Sequence, residues 1–262
     1  TQYFTKVRDV EHYMYSAFVN MDSTTQDTHV TNVTNGISVT NYTLNVVITS
    51  LDASNDTYEC CVMFKDIRDP VVTPARLYFS YTGRKNVYLA RQYSCSVPVK
   101  SSQSLPQKIT LTTSKSCPSH PDDYVTIVYP TRYQGRIALC GKVVYGGGRD
   151  PEEIIEWFEM QRTLGVDKVL IYDLGNPDNL TRVFRYYQNL GFLDVQPYEL
   201  PGKPKNRTFS KPLEHWDQYD EDQTMAVLDC RQRMGGYDYI ISHDLDEMII
   251  PRKYVTLQTL FE

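Results

Sequence analysis

His243-Asp244-Leu245-Asp246-Glu247 places three carboxylates within four residues, directly after the apolar run Tyr239-Ile240-Ile241. Apolar character resumes at once in Met248-Ile249-Ile250. Carboxylates between two buried segments are costly to ionise unless a cation or hydrogen bonds compensate them. Hard divalent ions take such oxygen ligands and complete their shell with phosphate oxygens. When a glycosidic bond to a diphosphate breaks, charge builds on the leaving oxygens, and a carboxylate-held Mn²⁺ or Mg²⁺ neutralises it. A second Asp-x-Asp, Asp220-Glu221-Asp222, falls in the expected first turn of a helix, where the helix dipole accounts for acids.

The elements around the first motif alternate between strand and helix. Strands are expected over 136–144, 168–172, 193–198 and 239–242. Asp150-Pro151-Glu152-Glu153 reads as a helix start, with the acid at the cap and proline at the first position, and this helix runs to Gly165. Further helices are expected over 179–190, stopped by Gly191, and over 217–234, closed by Gly235-Gly236. Such alternation means βαβ units and a mainly parallel sheet, whose ligands collect at the carboxyl ends of the strands. Tyr145-Gly146-Gly147-Gly148 is not a dinucleotide fingerprint, because proline stands at 151 where a third glycine is needed and acids open the helix. No P-loop occurs.

Upstream, short β-branched and aromatic runs over 46–48, 58–64, 75–81, 87–94, 108–112 and 124–129 read as a β-sandwich. No Lys or Arg lies between Arg8 and Lys65, so that stretch presents an acidic surface. The whole chain of 262 residues carries a formal charge of −5, which repels nucleic acid backbones. No apolar stretch approaches the ~18 residues of a membrane-spanning helix. Any targeting segment is expected to have been removed ahead of Thr1.

Five Asn-x-Thr triplets, at Asn32, Asn41, Asn55, Asn179 and Asn206, read as glycan acceptors. Together with six cysteines they point to an oxidising, secretory compartment. Cys60 and Cys61 would face opposite sides of a strand and need different partners, and the remaining pairing stays open. The 21 tyrosines suit sugar-handling surfaces, since sugar rings stack on aromatic faces.

The segment 136–252 resembles glycosyltransferase family 92. The resemblance rests on Leu139-Cys140 before Tyr145-Gly146, on Ile155-Glu156-Trp157-Phe158-Glu159 before Leu164-Gly165-Val166, and on Val169-Leu170-Ile171-Tyr172-Asp173. It continues through Tyr186-Tyr187, Gly191, Gln223, Asp229-Cys230-Arg231 and the Asp-Leu-Asp-Glu core. It implies a β-sandwich-like module over 1–133 followed, over 134–262, by a GT-A domain, which is α/β, Rossmann-like and mainly parallel. It further implies Mn²⁺-dependent, inverting transfer of a hexose, with galactose favoured, from a UDP-sugar to a glycan on a glycoprotein or polysaccharide. The implied setting is the Golgi lumen, with a type II anchor absent from this chain.

On these residues, the resemblance implies that Asp244 contacts the ribose or the metal and that Asp246 ligates the metal. Glu247 and His243 stand behind them, and Val144, Tyr145 and Asp173 hold the nucleotide. A solvated loop is expected around Lys203, Lys205, Arg207 and Lys211. The family needs more chain than follows Arg252, so the catalytic base is expected beyond Glu262 in a longer protein. The alternative is a non-catalytic glycan-binding protein that keeps a degenerate GT-A half.

Overall fold

The computed structural model describes residues 4–20, 30–34, 37–80, 88–100, 104–114, 116–144, 149–198 and 216–261, with the main chain alone over 30–41 and 216–222. The chain divides into two compact units, Thr1–Pro130 and Thr131–Glu262.

The first unit is built from strands: β1 (Thr5–Lys6), β2 (His12–Val19), β3 (Val30–Thr34), β4 (Ile37–Asp52), β5 (Glu59–Phe64), β6 (Val71–Ser80), β7 (Leu89–Lys100), β8 (Pro106–Thr112) and β9 (Val125–Val128). Their order is β1-β2-β9-β8-β5-β6-β7-β4-β3, and β2 also pairs with β4. That extra ladder closes seven strands into a barrel and leaves β1 and β3 as appendages. Every pairing is antiparallel except β2 with β9. Closure removes the exposed edges that a sandwich would have to protect. The interior is filled by Met14, Val46, Ile48, Val62, Val97, Ile109 and Leu111. Cys60 pairs with Cys95 inside this core, and Cys61 pairs with Cys117, so the adjacent cysteines do take different partners.

The second unit comprises β10 (Tyr133–Val144), α1 (Pro151–Thr163), β11 (Lys168–Asp173), α2 (Asp178–Asn189), β12 (Leu193–Pro197), α3 (Trp216–Arg233), β13 (Tyr237–Ser242) and the short α4 (Leu257–Phe261). Its four strands are all parallel, in the order β12-β11-β10-β13. Asp150 caps α1 by accepting from the Glu152 amide at 3.0 Å, with Pro151 at the first helical position. Ile154, Trp157 and Phe158 of α1 and Phe184 and Tyr187 of α2 pack with Ile137, Leu139, Val169 and Ile171 of the sheet. A disulfide, Cys140–Cys230, ties β10 to α3. Beside it the Tyr172 hydroxyl donates to the buried Asp229 carboxylate at 2.5 Å, and Arg233 completes the ion pair at 3.0 Å.

These findings overturn the expected fold class. Taken whole, the chain is not the expected β-sandwich-like module joined to a mainly parallel, Rossmann-like GT-A domain, and parallel pairing is confined to the four-stranded sheet of the second unit and to β2 with β9. Strand accounts for 45% and helix for only 22%, and the largest element is a closed mixed barrel of seven strands. The physical reason is β2. Its alternating run His-Tyr-Met-Tyr-Ser-Ala-Phe-Val pairs with β4 on one side and with β9 on the other, so the sheet joins itself instead of folding into two layers.

Candidate active site

β13 leaves the sheet at Ser242, whose register partner is Cys140 of β10. The next five residues form a turn held from four directions. Leu245 drops into the apolar core at 8% exposure. Room for it comes from Gly141, where a Cβ would lie 3.4 Å from Leu245 Cδ2 and 3.2 Å from Ile171 Cγ2. The Trp157 indole N–H donates to the Glu247 carbonyl at 2.9 Å. The Asp244 amide donates to Glu247 Oε2 at 3.0 Å, and the Glu247 amide donates to the Asp244 carbonyl at 3.1 Å. Finally, His243 Nδ1 lies 2.8 Å from the Asp244 carbonyl, which can only accept, so that nitrogen carries the proton. His243 itself is buried, with its ring edge-on to Trp157.

With the turn fixed in this way, the two aspartates point outward. Their side chains are 41% exposed at Asp244 and 63% exposed at Asp246. The expectation of carboxylates wedged between buried segments is corrected here. Met248, Ile249 and Ile250 are exposed, and within the motif Leu245 and His243 are the buried residues. Each aspartate has a cation beside it. Lys142 Nζ lies 3.0 Å from Asp244 Oδ1, and Arg149 Nη1 lies 3.4 Å from Asp246 Oδ2.

Lys142 owes its place to a β-bulge. The β10–β11 register shifts between Gly141 and Val143, leaving Lys142 as the unpaired extra residue on a strand that is otherwise buried from Ile137 to Val144. Bulges re-aim a side chain in this way, commonly beside active sites. Sequence reasoning missed both cations. The signal for Lys142 was present, since a lysine inside Ile137-Ala138-Leu139-Cys140-Gly141-Lys142-Val143-Val144 breaks the apolar run of a central parallel strand.

The other nominated residues lie at the neighbouring strand ends. Val144 and Asp173 are register partners that close β10 and β11. Val144 has its side chain in the core, and its carbonyl accepts from the Leu174 amide at 2.9 Å and from Asn176 Nδ2 at 3.0 Å. Asp173 Oδ1 accepts from the Gly175 amide at 2.9 Å and from Asn176 Nδ2 at 2.5 Å, so it shapes the turn into α2. Tyr145, the glycines at 146–148, the basic residues of the 203–211 loop and Asn206 lie outside the described residues. Asn55 and Asn179 are exposed, whereas Asn32 and Asn41 lie in β3 and β4.

Among the described residues, no three His, Cys, Asp or Glu side chains converge on one point. Two outward carboxylates still fit a hard divalent cation that takes its remaining ligands from phosphate and water. Among the described residues, no helix is long and apolar enough to cross a membrane.

Two outward carboxylates therefore stand on a pinned turn at the end of a parallel sheet, beside Lys142 and Arg149, where ligands of such sheets collect. In comparison with known sequences, residues 135–261, nearly the whole second unit, match glycosyltransferase family 92, as the sequence motifs implied. The chain is also similar to beta-1,4-galactosyltransferase galt-1 of Caenorhabditis elegans, with 24% identity over 139 residues. That match covers 52% of this chain and 30% of the relative, so the chain spans about a third of the relative's length.

Proposed function

We propose that the protein is a hexosyltransferase that moves galactose from UDP-galactose to an acceptor glycan with inversion, using a divalent cation, Mn²⁺ favoured, held by Asp244 and Asp246. The observation that carries this reading is the pinned turn within the family-matched segment, which presents both carboxylates to solvent beside Lys142 and Arg149. A bound cation would neutralise charge on the departing diphosphate. Leu245, Trp157 and Glu247 orient the carboxylates in advance, so little reorganisation is needed when the donor arrives. The strand ends at Val144 and Asp173 lie next to this turn across β10 and supply the edge against which a nucleoside would rest.

Galactose as the transferred sugar is favoured by the similarity to a galactosyltransferase. Two exposed Asn-x-Thr triplets and three disulfides support a secretory, Golgi-type setting. The second reading, a glycan-binding protein without catalysis, draws on the same ion pairs, because Lys142 and Arg149 already satisfy the aspartates. Titration calorimetry with UDP and Mn²⁺ separates the two. Cation-dependent nucleotide binding supports the transferase, and glycan binding without it supports the lectin.

A further inference from the structure

We infer that Lys142 and Arg149 are diphosphate-binding residues that exchange partners. Without donor they hold Asp244 and Asp246, and with cation and donor present they turn to the diphosphate. This inference rests on the transferase reading above and assigns two residues that neither the motif nor the family match singles out.

The argument starts from charge. Asp244, Asp246 and Glu247 contribute three formal negative charges and Lys142 and Arg149 two positive ones, so the bare site carries a net −1. A divalent cation on the aspartates turns this to a net +1. The diphosphate diester of a nucleotide sugar carries two negative charges, so cation and donor together return the site to its starting charge. With the carboxylates and the cation alone, the donor's charge would go uncompensated. The two ion pairs are weak at this exposure, so a doubly charged cation and a diphosphate can replace both partners.

Geometry supports the exchange. Lys142 Nζ reaches its carboxylate from a bulge in the central strand, and the lysine side chain is 30% exposed. Arg149 approaches from the residue before the α1 cap, and its contacts of 3.4 and 3.5 Å to Asp246 are long for a guanidinium–carboxylate pair. Such a pair on an exposed surface is weak and readily replaced. Lys142 and Arg149 reach the two carboxylates from separate elements, β10 and the approach to α1.

Two consequences distinguish exchange from a structural strut. Cation and nucleotide must bind cooperatively, each raising the other's affinity by the same factor, because each removes the competitor of the other. Removing Lys142 must also act with opposite sign on the two ligands.

The test is calorimetry on the whole protein with Mn²⁺, uridine and UDP as probes. Lys142→Met should weaken UDP binding in saturating Mn²⁺ by about tenfold or more, the range of a charge-assisted hydrogen bond. Uridine binding should be unchanged, and Mn²⁺ alone should bind more tightly because Asp244 has lost its internal partner. Arg149→Met should shift UDP in the same direction, and Lys142→Arg should restore most of the affinity. Where the wild-type protein binds UDP with Mn²⁺, equal losses for uridine and UDP in Lys142→Met, or an unchanged UDP affinity in that variant, overturn the exchange and leave the transferase reading standing. A wild-type protein that binds no UDP with or without Mn²⁺ overturns both.

Discussion

Trp157 donates its indole N–H to the main-chain carbonyl of Glu247 at 2.9 Å, which makes a helix residue 90 positions upstream the clamp on the acidic turn. The same indole lies edge-on to His243, so one ring braces the turn at both ends. Trp157→Phe keeps most of the packing and removes the donor. Stability should fall by about 1 kcal/mol, the worth of one buried hydrogen bond, in a urea melt. Cation-dependent UDP affinity should fall severalfold, whereas an unchanged affinity would show that the turn holds its shape without the indole.

Gly141 lies under Leu245 with no space to spare. An alanine Cβ would meet Ile171 Cγ2 at 3.2 Å, tighter than ordinary contact, and Leu245 Cδ2 at 3.4 Å, so Ile171 must give by a few tenths of an ångström directly beside Leu245. Gly141→Ala should cost about 1–3 kcal/mol as overpacking. It should reduce transfer activity beyond what that loss explains, and Gly141→Val should be worse in both respects. Activity assayed well below the melting temperature checks this.

Acid should weaken the barrel through His12. The ring is fully buried, packs on Tyr58 and Tyr93, and has no hydrogen-bond partner for either nitrogen among the described residues. Burial depresses its pKa from 6.5 to about 4, with Arg91 acting in the same sense and Asp52 and Asp56 opposing. The folded state therefore binds fewer protons than the unfolded chain between these values. The contribution is fully present above about pH 6.5 and is lost as pH falls toward about 4. A shift of that size corresponds to roughly 3 kcal/mol. Urea midpoints of the barrel transition at pH 7.5 and pH 4.5 measure it, and His12→Phe should flatten the dependence.

The Cys140–Cys230 bridge joins residues 90 apart, and both are buried. Replacing the pair with alanines should lower the stability of the second unit by about 2–4 kcal/mol, through the added freedom of the unfolded chain. The Tyr172–Asp229–Arg233 network still links β11 to α3, so the fold should persist at room temperature. Thermal melts of the variant and the parent give the difference.

Elements with strong local signals were legible from sequence. Asp150-Pro151 marks the start of α1, Gly165 and Gly191 follow the ends of α1 and α2, and the apolar runs of β11 and β13 fall where read. Barrel closure was not legible. It depends on Ala17 and Phe18 meeting Ile127 and Val128, residues more than 100 positions apart, and nothing local in either run specifies that partner or its parallel sense. The acidic motif was legible as a position but not as an environment. Its flanking Met248-Ile249-Ile250 looked like a buried segment and is exposed, while Leu245, His243 and the Trp157–Glu247 hydrogen bond hold the turn. Lys142 was legible as a break in the apolar run of β10, but the bulge that aims it at Asp244 was not, since periodicity cannot show which way an unpaired residue points.

The central claim, that Asp244 and Asp246 hold the cation through which a UDP-sugar is used, is tested most directly by Asp246→Asn. This change preserves shape while removing the charge, and the exposed position leaves the fold intact. With UDP-galactose and Mn²⁺, the parent protein should release UDP in a Mn²⁺-dependent manner, and the variant should lose that turnover by at least about 100-fold. Turnover within a factor of about two of the parent's, at equal folding by circular dichroism, would contradict the account.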